Sequence, residues 1–163
     1  MKKLLLSLLL FVTGSAFFAQ TSAEETAAVQ KTITTFFDGM RRGDSTLVRS
    51  TLVRSTLVRS TLAPGVVFQT ITTTKEGTTR VGLENPNGFL KSVGTPHKEV
   101  YDERIRFERV LLDANLASVW TPYQFYVGPK FSHCGYNSFQ LVKYAQGWRI
   151  VHVIDTRRQD GCQ

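Results

Sequence analysis

The alternation of apolar and polar residues is clearest in the last third of the chain, over residues 116–156. A period of two is the signature of half-buried strands. Three strands are predicted, over 116–127, 131–144 and 148–156, joined at hairpin length by Gly128-Pro129-Lys130 and Ala145-Gln146-Gly147. β-branched and aromatic side chains dominate them, as a pleated surface prefers. Strict alternation puts Val119, Thr121, Tyr123 and Phe125 on one face of the first strand and Trp120, Pro122, Gln124 and Tyr126 on the other. In the middle strand His133, Asn137, Phe139 and Leu141 oppose Cys134, Tyr136, Gln140 and Tyr144. In the last, Trp148, Ile150, His152 and Ile154 oppose Arg149, Val151, Val153 and Asp155. Pro122 cannot donate to a ladder and marks a bulge or an unpaired position, and Gly135 permits a sharp bend.

Upstream the period changes to that of a helix. Val29, Ile33, Phe36, Phe37 and Met40 form one stripe, with Gln30, Lys31, Thr34, Asp38 and Arg41 off it. Ser22 and Glu25 have capping-box spacing at its start, and Gly43 is a C-cap at its end. A second helix is predicted from Asp44 or Ser45 to the stop at Pro64-Gly65. It contains Ser-Thr-Leu-Val-Arg three times in tandem, at 45–49, 50–54 and 55–59, with a fourth begun at 60–62. A five-residue step turns a helix by roughly 500°, so the repeated leucines smear around the axis. In a strand an odd step flips the face each time. We read the repeat as a duplication that lengthens a surface helix. A hairpin follows, 66–74 and 78–83 around Lys75-Glu76-Gly77, and Asn85-Pro86-Asn87-Gly88 breaks it. Phe89, Leu90 and Val93 predict a short helix ended by Gly94. One long strand over 99–112 carries Tyr101, Glu103, Ile105 and Phe107 on one face.

Composition narrows the class. Met1-Lys2-Lys3, an apolar run over 4–12 and small residues at Gly14, Ser15, Ala16 and Ala19 read as a signal peptide over 1–19. The run is too short to span a bilayer, so no stable membrane anchor is expected after cleavage. The expected location is exported, periplasmic or secreted, with a single domain over 23–163. Without Lys2 and Lys3 the formal charge falls from +7 to +5, 18 basic against 13 acidic side chains. The basic residues are scattered and not interleaved with aromatics, so a solvated surface is expected and no nucleic-acid partner. Cys134 and Cys162 form an even pair, which in an oxidising compartment suggests one disulfide, worth roughly 3–4 kcal/mol. The competing reading is a metal site from His133, Cys134, His152 and Cys162, and no CxxC or HxxxH spacing supports it.

With the repeat reduced to one copy, which would read GDSTLVRSTLAPGVVF, and with the stretches LASVWTPYQFYVGPKFSHCGYNSFQLVK and GWRIVHVIDTRR, the chain resembles the nuclear transport factor 2-like superfamily, and within it the SnoaL-like, lumazine-binding-like branch of exported bacterial proteins. The resemblance implies an α+β conical fold of cystatin-like type: a strongly curved, mainly antiparallel sheet wrapped around N-terminal helices and leaving a cavity. No cofactor and no metal are expected. Relatives include isomerases, dehydratases and binding modules, so fold alone does not choose. If the His133 face lines the cavity, Tyr123, His133, Asn137 and His152 supply polar contacts, and Phe125, Phe139, Leu141, Ile150 and Ile105 an apolar wall. Two readings follow. One is a binding module for a small apolar or aromatic ligand, with Tyr123, Phe125, His133, Asn137, Phe139 and His152 as contacts, and a homodimer allowed through the exposed sheet face. The other is a cofactor-independent lyase or isomerase with His133, Tyr123 and Glu103 as catalytic candidates. Asp155, beside Arg157-Arg158 and on the opposite face, is expected to be an ion-paired strand end. Trp120 and Tyr136 are expected outside the cavity.

Overall fold

In a computed structural model, residues 13–42, 61–95 and 98–162 are described. The predicted second helix up to residue 60, with nearly all of its repeat, and the first twelve residues of the signal segment lie outside them; the last residues of that predicted helix, Leu62 and Ala63, are strand. The elements are α1 (Thr13–Arg41), β1 (Leu62–Thr73), β2 (Thr79–Glu84), α2 (Pro86–Gly94), β3 (Tyr101–Ile105), β4 (Arg109–Asp113), β5 (Leu116–Val127), β6 (Lys130–Tyr144) and β7 (Gly147–Thr156). The seven strands form one open mixed sheet in the order β2-β1-β7-β6-β5-β3, with β4 also pairing with β5. Neighbours run antiparallel except β1 and β7, which are parallel. Two-residue turns link β5 to β6 and β6 to β7; Gly128 (φ 58°) within the first and Gly147 (φ 109°), which opens β7 directly after the second, take positive-φ conformations that favour glycine.

One face of the sheet carries the core. The helical stripe of α1 lies on it, with Val29 and Ile33 fully buried beside Phe36, Phe37 and Met40. Leu141, Ile150, Phe139, Leu62 and Trp148 meet the stripe from the strands. Each such side chain stabilises the fold by about 1.5–3 kcal/mol on full burial. Phe37 meets Phe139 edge-on at 6.0 Å, and Phe36 stacks on Phe89 of α2 at 5.7 Å. Among the described residues no helix is long and apolar enough to cross a membrane.

Four local expectations are corrected. First, α1 runs through Ser22, so Ser22 and Glu25 are not a capping box. The Ser22 carbonyl accepts from Thr26 Oγ1 at 2.9 Å, and Glu25 instead accepts from Lys143 Nζ (2.6 Å) and Trp148 Nε1 (2.8 Å), fastening the helix to the β6–β7 end of the sheet. Second, β1 starts at Leu62 rather than 66. Pro64 and Gly65 do not stop it, because the pairing with β7 shifts register there, between Leu62 and Val67. Third, the long strand over 99–112 is two. Arg106, Phe107 and Glu108 stand against only Thr121 and Pro122, with Arg106 N donating to Pro122 O (3.2 Å) and Glu108 N to Trp120 O (3.1 Å). The extra residue falls opposite the proline, which brings no N–H to the ladder.

The fourth correction matters most for function. Leu141 pairs with Ile150, but Gln140 pairs with His152, so Val151 is an extra residue in β7. Side chains before the bulge keep the expected face, and those after it are reversed. His152 therefore leaves the core face and meets Gln69 Oε1 through Nε2 at 2.9 Å. Val153 and Asp155 turn inward in its place. Pro122 and Gly135 cause no slip between β5 and β6, where Pro122 faces Tyr136 and Tyr123 faces Gly135. The one irregularity in that pair is at Ser132, beyond His133.

Candidate ligand-binding site

The core face opens at one end into a cavity of about 80 Å³. A single water needs only about 10–15 Å³ by a comparable measure, so the space admits part of a small molecule. Its walls are aromatic: Phe36 and Phe37 from α1, Phe68 from β1, Phe89 from α2 and Phe139 from β6. Among the described residues its polar side chains come from six strands and include Thr70, Glu84, Glu103, Tyr123, His133, Asn137 and Asp155, with Arg157 just past the end of β7.

Two hydrogen-bonded groups divide the polar end. In the first, Asp155 Oδ1 accepts from Thr70 Oγ1 at 2.6 Å and Oδ2 from Arg157 Nε at 3.0 Å. The Tyr123 hydroxyl lies 2.9 Å from Thr156 O and 3.1 Å from Asp155 Oδ2. Arg157 Nη2 reaches on to Glu84 Oε1 at 3.1 Å, and both of these side chains are about 40 % exposed. They form the rim. In the second group, Asn137 Nδ2 donates to Glu103 Oε1 at 2.9 Å. His133 sits edge-on to Tyr123 (5.7 Å) and tilted against Phe125 (5.0 Å), with Nδ1 3.0 Å from Ser132 Oγ.

The environment sets the protonation states. Burial pushes the Glu103 carboxyl up to about 7; the Asn137 hydrogen bond works against this and the nearby Asp155 charge adds to it. Burial also raises the Tyr123 phenol, helped by the Asp155 and Glu103 charges, so Tyr123 stays a donor at neutral pH. Burial, then the Arg157 charge, lowers His133 against the opposing pull of Asp155, which keeps its ring neutral. Between the unfolded value of 4.5 and about 7, folded Glu103 retains a proton that the unfolded chain has lost. Its contribution to stability is full below pH 4.5 and is lost as pH rises through about 7. Glu103→Gln removes that loss. Urea unfolding of the variant should match the parent near pH 4.5 and exceed it by on the order of 2 kcal/mol at pH 8.5, a value discounted for partial exposure. Equal pH profiles would place Glu103 in ordinary solvent.

Of the residues singled out from sequence, Tyr123, His133, Asn137, Phe139 and Glu103 are brought together at the cavity. Phe125 touches it only through the His133 ring, and Leu141 and Ile150 belong to the closed core. His152 is on the other face, beyond the Val151 bulge. Asp155, Glu84, Arg157 and Thr70 were missed. Asp155 was assigned by unbroken alternation, and a bulge inside the apolar run of β7 leaves no mark in composition. The outer face carries Trp120 stacked on Tyr136 at 5.2 Å. Cys134 and Cys162 are joined as a disulfide, which excludes them as metal ligands. Among the described residues no group of three His, Cys, Asp or Glu side chains is arranged to hold a metal.

No family model and no curated protein matches the sequence. Solved structures do match the fold. An NTF2-like protein of unknown function from Silicibacter pomeroyi aligns at TM-score 0.59 and 14 % identity, over 84 % of this chain and 98 % of its own. A conserved protein from Planctomyces limnophilus aligns at 0.61 and 13 %, over 83 % and 98 %. An NTF2-like protein with a cystatin-like fold from Novosphingobium aromaticivorans aligns at 0.63 and 11 %, over 93 % of each chain. At these identities the likeness is one of fold.

Proposed function

We propose that this chain, which has the nuclear transport factor 2-like fold, is an exported binding module for a small, largely apolar or aromatic molecule. The observation that carries the reading is the convergence of aromatic walls on the Glu103–Asn137 pair, the anatomy of a small-molecule site. The Cys134–Cys162 disulfide is consistent with an oxidising, exported environment. The SnoaL-like branch and the strongly curved sheet around helices belong to this proposal, as does a homodimer through the outer face, where Trp120 stays 42 % exposed.

A second reading, a cofactor-independent lyase or isomerase, is favoured by one observation. The Glu103 carboxyl lies at the aromatic cavity with Asn137 Nδ2 2.9 Å away, and burial pushes it up to about 7, the range in which a general base works best. Against it, the Tyr123 hydroxyl is already directed at Thr156 O and Asp155, so the trio His133, Tyr123 and Glu103 has no free phenol to offer a substrate.

Native mass spectrometry of the purified mature protein tests the first reading, with Val153→Phe as the control. Val153 lines the cavity, and the larger ring fills it. The parent should bind an added aromatic probe such as benzyl alcohol one to one, and the variant should lose at least about tenfold in affinity. Equal binding by both proteins would move the ligand elsewhere. Turnover of a bound ligand, lost in Glu103→Gln, would favour the enzyme.

A further inference from the structure

We infer that the molecule this cavity takes is a cation, a small aromatic or alkyl amine seated with its ammonium group toward Glu103. The inference rests on the binding reading above and names its ligand class. Among the described residues three carboxyl groups line the polar end, Glu84, Glu103 and Asp155, against one cation, Arg157. That cation is already committed on two sides, to Asp155 at 3.0 Å and to Glu84 at 3.1 Å. An anionic ligand would have to break this clasp and would still face Glu103. Glu103 itself makes no ion pair among the described residues.

Among the described residues, the other elements that line the cavity around Glu103 add no positive charge. Tyr123 from β5 and His133 from β6 are neutral, and α1 and α2 offer only Phe36, Phe37, Met40 and Phe89. Aromatic faces attract an ammonium group through their negative π-surface, more strongly where water is excluded. An alcohol gains only the hydrogen bonds. A carboxylate meets like charge.

The proton balance follows. A bound ammonium favours the ionised carboxylate, so below about pH 7 binding expels the Glu103 proton. Affinity for the cation should therefore tighten as pH rises, whereas a neutral ligand that accepts from the protonated carboxyl should weaken. His133 is shifted toward its neutral form by burial and the Arg157 charge, and the Glu103→Gln variant separates its part from that of Glu103.

The test uses three probes of one shape, benzylamine, benzyl alcohol and benzoate, titrated calorimetrically into the mature protein at pH 6 and pH 8. Benzylamine should bind about tenfold tighter than benzyl alcohol at pH 8, with benzoate weakest. Its affinity should rise roughly tenfold from pH 6 to 8, with proton release seen as a buffer-dependent heat. Glu103→Gln should flatten that dependence, and the parent series alone decides the ranking if the variant is unstable. If benzyl alcohol or benzoate binds as tightly as benzylamine, the cation inference falls and the cavity reading stands. If none of the three binds at millimolar concentration, both fall.

Discussion

Gly135→Ala should cost on the order of 3 kcal/mol, the upper end of what overpacking costs in a closed core. A Cβ at this position would collide with the backbone oxygen of Thr156 and come within 2.9 Å of Tyr123 Cε1. Neither neighbour can yield cheaply. The Thr156 oxygen accepts from the Tyr123 hydroxyl at 2.9 Å. Just beyond, Cys134 N donates to Arg158 O (2.9 Å) and Arg158 N to Cys134 O (3.0 Å), which ties the tail to β6. The added methyl must displace either β7's end or the Tyr123 ring, and both hold Asp155 in place. Equilibrium urea unfolding reads the loss. A change below about 0.5 kcal/mol, the scale of a surface substitution, would mean that β6 and the tail are further apart than described here.

Removing the disulfide should be comparably expensive. Cys134 and Cys162 close a loop with a sequence separation of 28, for which the chain-entropy model gives about 3–4 kcal/mol. The double variant Cys134→Ser/Cys162→Ser should lose that stability in urea and should also lose hydrogen-exchange protection at the Cys134 and Arg158 amides. Local fraying is expected there because the tail beyond Arg157 is otherwise tied to β6 mainly by the paired Cys134–Arg158 amides and a long Gln159 bond to Ser132 O at 3.4 Å. Unchanged protection at Arg158 would show that the bridge is decoration and that the strand bonds suffice.

These two results bear on how far the sequence could be read. The β5–β6–β7 meander was legible because its strands are long, its alternation is strong and its turns carry glycine. The stripe on α1 was legible for the same reason of period, and the cysteine pair from parity and compartment. The start of α1 was not, since Ser22 has the residue type of a cap without its place. The break in 99–112 was hinted at only across the sheet, by Pro122 on a different strand. The site divides along the same line. Residues on β3, on β5 and on β6 from His133 onward follow simple alternation, so Glu103, Tyr123, His133 and Asn137 could be placed on one face. The Val151 bulge exchanges His152 for Asp155, and bulges are set by pairing partners, which a single strand does not reveal. Glu84 and Arg157 meet only through the β2-β1-β7 order, with its parallel pair, a matter of topology beyond local pattern.

The central claim is that the inner face near Glu103, and not the outer face, is where a small molecule binds. The measurement that tests it most directly is NMR of the aromatic side chains in the protein during titration with benzylamine. The expected result is saturable shifts confined to Phe36, Phe89, Phe139 and His133, which wall the cavity, while Trp120 and Tyr136 stay unmoved. Shifts at the stacked Trp120–Tyr136 pair with the phenylalanines unchanged would contradict it and transfer the binding surface to the other side of the sheet.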